Sequence, residues 1–197
     1  MTKIALIDLD GTLADYDGAL RVGLCALAGP GEDIDYIAGM GFTRESYPPW
    51  LRVREAMVRS MPGYYLNLPP IDEGFVVLEV LKELGFSLHV ATKAPSHNTA
   101  IASMEKIQWC AKYLPGVPVT ISGDKSLLRG EILFDDWPGY IDPWLKANPE
   151  GLALVPSQPW NSEWESCAPE RTLVITPELI IGQIKDFIRN HESRFLV

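Results

Sequence analysis

Two carboxylates separated by one residue, Asp8 and Asp10, lie in the segment DLDGTL near the start of the chain. The first carboxylate could attack phosphorus and form an aspartyl-phosphate. The second could protonate the leaving oxygen and later deprotonate a water molecule. Gly11 would let both side chains reach into one small volume. In the alternative interpretation, the segment is an Asp-Gly turn whose acids only cap and bend the chain.

A second acidic pair, Asp135 and Asp136, lies between Phe134 and Trp137. Adjacent carboxylates are costly to hold together unless a cation neutralises them, and Mg²⁺ prefers oxygen ligands of this kind. A metal held by this pair and Asp8 would bridge the protein and a phosphate group. Taken alone, the pair could belong to a solvated loop, but two acidic pairs that both follow apolar runs indicate a shared site.

Hydroxyl and cationic side chains elsewhere could bind a phosphate group. Thr92 ends the segment HVAT, where its hydroxyl and the N–H groups that follow suit a phosphate oxygen. Lys125, in SGDKSLL, could stabilise a phosphorylated Asp8. Lys93 and Lys106 are further candidates for the phosphate site. Each of these residues, considered singly, is also compatible with an ordinary strand end or a surface lysine.

The elements that must position these residues follow from the apolar pattern. Five runs are predicted as strands of a buried parallel sheet: Lys3 to Leu9, Phe86 to Thr92, Val117 to Ser122, Glu131 to Asp135 and Leu152 to Val155. Helical patterns lie between them. This alternation predicts a doubly wound, Rossmann-like α/β fold with a mostly parallel sheet and helices on both faces. Ligands bind at the carboxyl ends of such strands, where the candidate residues lie.

Three helices have distinct sequence patterns. Apolar residues at spacing three predict a buried face on two of them, namely Phe75, Leu78, Leu81 and Leu84 on one, and Ile101, Met104, Ile107 and Ala111 on the other. The last helix is predicted to begin after Thr176 as N-cap, with Pro177 at its first position. Its apolar residues are Leu179, Ile180, Ile184 and Phe187.

Residues 15–70 do not fit the alternation of strands and helices. The segment is rich in aromatic residues, Gly, Pro and Arg, and it is too long to be a connection in a compact domain. It is predicted to form a small helical cap inserted after the first strand, whereas residues 1–14 and 71–197 form the α/β core. Residues 137–170 are predicted to be a long irregular loop around one strand.

Composition and charge limit the partners. The formal net charge of −9 disfavours binding to a polynucleotide, although a local cation could still attract a small phosphorylated substrate. The chain begins without the layout of a signal peptide and contains no stretch long enough to span a membrane. The sequence therefore predicts a cytoplasmic protein. Its three cysteines are widely spaced and indicate neither a disulfide framework nor a zinc site.

The order of these motifs resembles that of the haloacid dehalogenase superfamily of phosphohydrolases. The four motifs, which together span most of the chain, are DLDGTL, Thr92, Lys125 and the pair Asp135 and Asp136. The resemblance implies that Asp8 is the nucleophile and Asp10 the acid/base, with the main-chain carbonyl of Asp10 on Mg²⁺. It also implies that Thr92 and Lys125 bind the phosphate, and that Asp135, Asp136 or both complete the metal site.

Further segments look like the 5'(3')-deoxyribonucleotidases, a branch of that superfamily that dephosphorylates deoxynucleoside monophosphates. They are DLDGTLADYDGAL, PGYYLNLPPIDEG, HVATKAP, MEKIQWCAKYLPG, DKSLLRGEILFDDWPGYI and the loop near Trp160. In that family the cap supplies aromatic residues that hold the base, and Tyr16 matches such a position. Lys106 matches a lysine associated with the phosphate pocket.

The leading hypothesis is a Mg²⁺-dependent phosphomonoesterase that hydrolyses (deoxy)nucleoside monophosphates to nucleoside and phosphate through an aspartyl-phosphate. The alternative is a phosphatase of the same superfamily that acts on a sugar phosphate or another small metabolite. A third hypothesis is a catalytically retired module that binds a nucleotide. The expected partner is a small nucleotide, with no polynucleotide and no membrane. The sequence leaves open the base and sugar preference and whether the chain forms a homodimer.

Overall fold

A computed structural model of the chain describes residues 2–34, 48–96, 98–176 and 181–196. Within these residues, apolar runs form six parallel strands: β1 (Lys3–Ile7), β2 (Phe86–Thr92), β3 (Val119–Ile121), β4 (Ile132–Phe134), β5 (Leu152–Pro156) and β6 (Thr172–Ile175). Backbone hydrogen bonds place them in one sheet in the order β3-β2-β1-β4-β5-β6. The order reverses at β1, which therefore lies between β2 and β4.

Helices cover both faces of this sheet. In the described part of the chain they are α1 (Tyr16–Ala26), α2 (Pro49–Arg59), α3 (Asp72–Glu83), α4 (Thr99–Tyr113), α5 (Pro138–Ala147) and α6 (Ile181–Asn190). Because alternate side chains of a strand point to opposite faces, two apolar clusters form. One joins Ala5 and Ile7 to α3, α4 and α6, and the other joins Leu6 and Leu133 to α5. The predicted doubly wound α/β fold is confirmed.

The sequence located five of the six strands, and the sixth, β6, was not predicted. This strand has four residues and lies at the edge of the sheet, where it pairs only with β5 among the described strands. Its side chains are half-buried or exposed, with Val174 45% exposed. A short run with so little burial does not give the apolar signal of a central strand.

The prediction of an irregular loop over residues 137–170 is wrong in its first part, where α5 forms. Pro138 lies in the first turn, where a missing N–H group is tolerated, and Pro143 lies inside the helix. Ile141, Trp144 and Leu145 recur at helical spacing and are fully buried. Their packing against the sheet outweighs the unfavourable proline. The prediction relied on the proline content of the segment and for this reason missed the helix.

The predicted buried face of α4 is also wrong. Ile101, Met104 and Ile107 are 45%, 52% and 50% exposed. The helix instead buries the face that carries Ala102, Glu105, Lys106, Trp109 and Cys110. Burying a glutamate and a lysine requires polar partners, and those partners lie in the functional site described below.

The predicted face of α3 is confirmed, since Leu78 and Leu81 are buried and Phe75 and Leu84 pack against the core. The last helix is confirmed from Ile181 onward, where Ile184 and Ile188 are buried. Its predicted start at Pro177, with Leu179 and Ile180, lies outside the described residues. No helix in the described ranges has the length and apolar character that crossing a membrane requires.

Helices α1 and α2 pack on each other through a cluster of their own, formed by Leu20, Leu24, Ile34, Leu51 and Val58. Tyr16 and Tyr64 contact both this cluster and the main core. Two helices therefore lie in the part of the chain for which the sequence predicts helical structure. The assignment of residues 15–70 to a separate cap stays a prediction, and residues 35–47 of it lie outside the described residues.

Candidate active site

The candidate residues gather at the carboxyl edge of the sheet. Asp8 and Asp10 follow β1, Thr92 ends β2, and Asp135 and Asp136 follow β4. Because β1 is hydrogen-bonded to both β2 and β4, these three strand ends are neighbours. A single helical turn, Lys125–Leu127, lies in the connection between β3 and β4 and supplies a lysine to the same edge. The fold therefore brings together residues that are far apart in sequence.

A tight loop after β1 keeps the first acidic pair close to the second. The N–H groups of Leu13 and Ala14 both donate to the carbonyl of Leu9, at 2.9 and 2.8 Å. Gly11 has a φ of +77°, and a Cβ at this position would lie 2.5 Å from an oxygen of Asp136. The glycine is required both by this backbone conformation and by the close approach of the carboxylate.

Lys125 bridges two of the carboxylates. Its buried Nζ lies 2.6 Å from Asp8 Oδ1 and 2.6 Å from Asp135 Oδ2. Burial disfavours the charged ammonium, but the carboxylates of Asp135 and Asp8 outweigh this effect, and the pKa of Lys125 lies above its ordinary value. The lysine therefore remains protonated and holds Asp8 in a fixed position.

Asp135 and Asp136 lie in the interior beside Asp8. Burial and the charge of Asp8 raise the pKa of Asp135, and Lys125 only partly offsets them. Burial, Asp8 and Asp135 together raise the pKa of Asp136 well above its usual range. The three acids can each offer a carboxylate oxygen such that these atoms all lie within 4.8 Å of one another. A group of hard oxygen ligands at this separation could hold a divalent cation.

Three neutral side chains fix the orientation of Asp136. Thr12 Oγ1 donates to Asp136 Oδ1 at 3.2 Å, and Trp160 Nε1 donates to Asp136 Oδ2 at 2.9 Å. Asn161 Nδ2 donates to the main-chain carbonyl of Asp136 at 2.9 Å. From the same loop, Gln158 Nε2 donates to the carbonyl of Gly11 at 3.0 Å. The loop after β5 therefore holds both acidic segments together.

A second buried lysine, Lys106 on α4, contacts the other acid. Its Nζ lies 2.6 Å from Asp10 Oδ2 and donates to Thr92 Oγ1 at 3.0 Å and to the carbonyl of Lys93 at 2.8 Å. Burial raises the pKa of Asp10 and Asp8 adds to the effect, whereas Lys106 opposes both. Asp10 Oδ1 has no hydrogen-bond partner among the described residues. That oxygen is well placed to carry a proton.

Of the residues predicted for the site, the structure does not bring the side chain of Lys93 into the cluster. The side chain is exposed, and its Nζ lies 5.9 Å from the centre of the Tyr140 ring. Only the backbone carbonyl of Lys93 points inward, toward Lys106. The remaining predicted residues, Asp8, Asp10, Thr92, Lys106, Lys125, Asp135 and Asp136, lie together.

Three tyrosines, which we call the tyrosine cluster, lie beside Lys106. Tyr16 stacks on Tyr65 at 6.4 Å between ring centres, and Tyr64 meets both rings edge-on, at 5.9 Å from Tyr16 and 5.0 Å from Tyr65. Tyr64 Oη donates to the main-chain carbonyl of Tyr16 at 3.0 Å. Lys106 Nζ lies 5.1 Å from the centre of the Tyr65 ring. The predicted aromatic residue, Tyr16, is therefore part of a larger aromatic group near Asp10.

Sequence reasoning did not identify Thr12, Gln158, Asn161, Tyr64 or Tyr65 as parts of the site. They act through hydrogen bonds or ring contacts made from turns and short segments, where no periodicity marks them. The strongest signal for Thr12 was its place two residues after Asp10 in the first motif. Trp160 was noticed only as part of a family resemblance, and its contact with Asp136 was not predicted.

Comparison with known proteins identifies related sequences. Residues 2–167 match the model of a family described as 5' nucleotidase, deoxy (pyrimidine), cytosolic type C. A human protein named 5'(3')-deoxyribonucleotidase, cytosolic type, is 26% identical over 179 residues, which cover 87% of this chain and 84% of the human one. A Bordetella bronchiseptica protein, provisionally named 5'(3')-deoxyribonucleotidase, is 27% identical over 168 residues, covering 81% of this chain and 86% of its own.

Solved structures confirm the fold. A HAD family hydrolase from Deinococcus radiodurans, determined with bound phosphate and sodium, superposes with a TM-score of 0.54. The superposition covers 96% of both chains at 15% sequence identity. At this level of identity the similarity establishes the shared architecture alone.

Replacing Lys125 by Met should destabilise the protein strongly. The substitution keeps the volume of the side chain but leaves Asp8 and Asp135 buried without their cation, which typically costs about 3–5 kcal/mol. Urea denaturation at pH 8 would measure the free energy of unfolding. Lys82→Met is a matched control, because it removes an exposed pair with Glu79 whose contribution is about 0–1 kcal/mol.

Acidification tests the cause of this loss. The pKa of Asp135 is raised in the fold, so its protonated form is favoured, and the associated stability is present at low pH and lost as the pH rises. In Lys125→Met the cation that opposes this effect is absent, so protonation of the buried acid should relieve the variant more than the wild type. The difference in unfolding free energy between Lys125→Met and the wild type should therefore shrink between pH 8 and pH 5. A difference that stayed constant or grew would contradict the proposed charge pairing.

Proposed function

The chain belongs to the family described as 5' nucleotidase, deoxy (pyrimidine), cytosolic type C, and on this premise we propose that it hydrolyses (deoxy)nucleoside monophosphates to nucleoside and phosphate. The observation that carries the proposal is the pairing of both buried lysines with the first acidic motif. Lys125 contacts Asp8 and Lys106 contacts Asp10, each at 2.6 Å. This arrangement surrounds the two acids with cations that suit a phosphate group.

Asp8 is the proposed nucleophile. Lys125 holds its carboxylate, and the single intervening residue, Leu9, keeps Asp10 on the same loop. Attack of a carboxylate oxygen on phosphorus forms the aspartyl-phosphate bond as the bond from phosphorus to the nucleoside oxygen breaks. The charge that develops on the phosphoryl oxygens lies next to the Lys125 ammonium, which stabilises it without rearrangement.

Asp10 is the proposed acid and base. Its raised pKa favours the protonated form that the first step needs, and Lys106 fixes one of its two oxygens. The other oxygen, Oδ1, has no partner among the described residues and would deliver the proton to the leaving nucleoside oxygen. In the second step Asp10 takes a proton from water, the water oxygen bonds to phosphorus, and Asp8 is released as a carboxylate.

The residues present fit a Mg²⁺ ion. Asp8, Asp135 and Asp136 offer three carboxylate oxygens. Burial and neighbouring carboxylates raise the pKa values of Asp135 and Asp136, so a cation held here would stabilise their ionised forms. Hard oxygen ligands of this type suit Mg²⁺, and the main-chain carbonyl of Asp10 would add a fourth ligand. When bound, the ion would neutralise these acids and polarise a phosphate oxygen.

The tyrosine cluster supports a nucleoside as the leaving group. The half-buried Tyr16 and Tyr64, packed on the buried ring of Tyr65, lie beside the Lys106–Asp10 pair, where the part of the substrate beyond the phosphate would bind. Aromatic rings hold a base by stacking, with limited selectivity between bases. A sugar phosphate has no aromatic base that could stack on these side chains, so a sugar-phosphate phosphatase is the weaker alternative. The name of the human relative supports a cytoplasmic site for the reaction.

A substrate panel tests the proposed function directly. Deoxynucleoside monophosphates, nucleoside monophosphates and sugar phosphates would be assayed with Mg²⁺, and kcat/KM compared for each. We expect the highest values for nucleoside monophosphates, because only they can use the tyrosine cluster. A higher kcat/KM for a sugar phosphate would support the alternative function, and the absence of any hydrolysis would support a retired binding module.

Replacing Asp8 by Asn should lower kcat by at least about a thousandfold, since an amide cannot form the covalent bond to phosphorus. Thermal unfolding should remain cooperative, because the amide has nearly the shape of the carboxylate. Asp72→Asn, at an exposed position on α3, is the control and should retain the wild-type rate. Turnover by Asp8→Asn at a rate near that of the wild type would refute the assigned nucleophile.

Removal of divalent cations should abolish activity, and Mg²⁺ should restore it. Ca²⁺ should substitute poorly, because its higher and looser coordination misplaces the reacting groups. Mg²⁺ should also raise the melting temperature of the EDTA-treated protein, and Asp136→Asn should reduce that increase. Full activity in EDTA, or an equal increase in the melting temperature of Asp136→Asn, would contradict the assignment of the metal site.

A further inference from the structure

Helix α4 buries three polar side chains that bind two different parts of the molecule. Lys106 reaches the acids of the candidate site, as described above. Glu105 and Trp109 instead contact residues 63–68, the segment that leads from α2 to α3. Glu105 is 5% exposed and Trp109 is fully buried, so neither side chain lies on the surface. Such deep burial of a carboxylate requires a specific set of partners.

The partners of Glu105 are two backbone N–H groups. Gly63 N donates to Oε1 at 2.6 Å, and Tyr65 N donates to Oε2 at 3.0 Å. Gly63 has a φ of +84°, so the Glu105 carboxylate binds residues 63–68 at a sharp turn of the backbone. Hydrogen bonds to an ionised acceptor are roughly twice as strong as neutral ones, and burial strengthens them further. Trp109 Nε1 adds a bond to the carbonyl of Leu68 at 2.8 Å.

The segment that is held in this way carries two members of the tyrosine cluster. Tyr65 is itself one of the two residues whose N–H groups donate to Glu105, and Tyr64 lies between them in sequence. The two rings meet edge-on at 5.0 Å and both contact Tyr16. A shift of this backbone would therefore move both rings relative to Tyr16 and to the acids below.

We propose that Glu105, assisted by Trp109, is a positioning residue that fixes the tyrosine cluster in the orientation that binds the nucleoside part of the substrate. The inference rests on the proposed function, because it concerns how a nucleotidase site would hold its nucleoside. Glu105 acts through the backbone of residues 63–65, and its two hydrogen bonds go to N–H groups of that segment rather than to the side chains assigned to phosphoryl transfer. Its effect is therefore on nucleoside binding.

Glu105→Gln separates this role from a general structural one. An amide has one acceptor oxygen, and its NH₂ group would face a backbone N–H donor, so one of the two hydrogen bonds is lost. We expect the KM for a deoxynucleoside monophosphate to rise about tenfold, the size expected for one lost bond to a charged group. We expect kcat, and the inhibition constant of inorganic phosphate, to change less than about twofold, because the phosphate residues are untouched.

The same two constants, measured for a control variant, distinguish the proposed role from a general effect on the site. Glu79→Gln, on the exposed surface of α3, should leave both constants unchanged. An equal rise in the nucleotide KM and the phosphate inhibition constant would indicate a general disturbance of the site and would overturn the proposal. An unchanged nucleotide KM would overturn it as well.

A second variant decides the question if Glu105→Gln does not unfold cooperatively. Trp109→Phe keeps a ring in the core and removes the bond to Leu68, and a selective rise in the nucleotide KM would support the proposal. An unchanged KM in a folded Trp109→Phe protein would overturn it. The wild type tests the proposed function separately: failure to hydrolyse any nucleoside monophosphate would reject that function, and the inference with it.

Discussion

Four carboxylates meet at the carboxyl edge of the sheet, and the surrounding structure depends on how their negative charge is balanced. Like charges repel strongly in a buried environment, where the effective dielectric constant is low. Two buried lysines therefore reach these acids, Lys125 from the turn between β3 and β4 and Lys106 from α4. The topology makes this possible, because α4 follows β2, the turn that carries Lys125 precedes β4, and both of these strands are hydrogen-bonded to β1.

The same balance determines how α4 packs. An amphipathic helix normally buries its most apolar stripe. Here Ile101, Met104 and Ile107 remain exposed, whereas Glu105 and Lys106 are buried. The buried polar pair is stable because every charged atom has a partner: Lys106 contacts Asp10 and Thr92, and Glu105 accepts two backbone N–H groups. One helix thus connects the acids to the tyrosine cluster, so that the two parts of the site share one rigid support.

The features that sequence could predict are those with a local signal. The central strands, with their continuous apolar runs, and the acids directly after them were located correctly, because strand ends and charged side chains are visible in the sequence itself. The face of α4 was not, because its orientation depends on partners that are remote in sequence, among them Asp10 and the N–H groups of residues 63 and 65. Helix α5 was missed because packing of Trp144 and its neighbours outweighs an internal proline. The hydrogen bond from Trp160 to Asp136 joins an irregular loop to a strand end, and no periodic pattern in the sequence indicates it.

The charge of the site explains how an acidic chain could bind an anionic substrate. With all four acids ionised, the two lysines leave two negative charges uncompensated, which is the charge that one divalent cation would cancel. Protonation of Asp10, which its raised pKa favours, would then leave the site positive before a phosphate group enters. The field that a small substrate meets is set by these few buried groups, and the net charge of −9 is spread over a much larger surface that water and salt screen. A polynucleotide would meet that whole surface, whereas a nucleoside monophosphate would meet only the site.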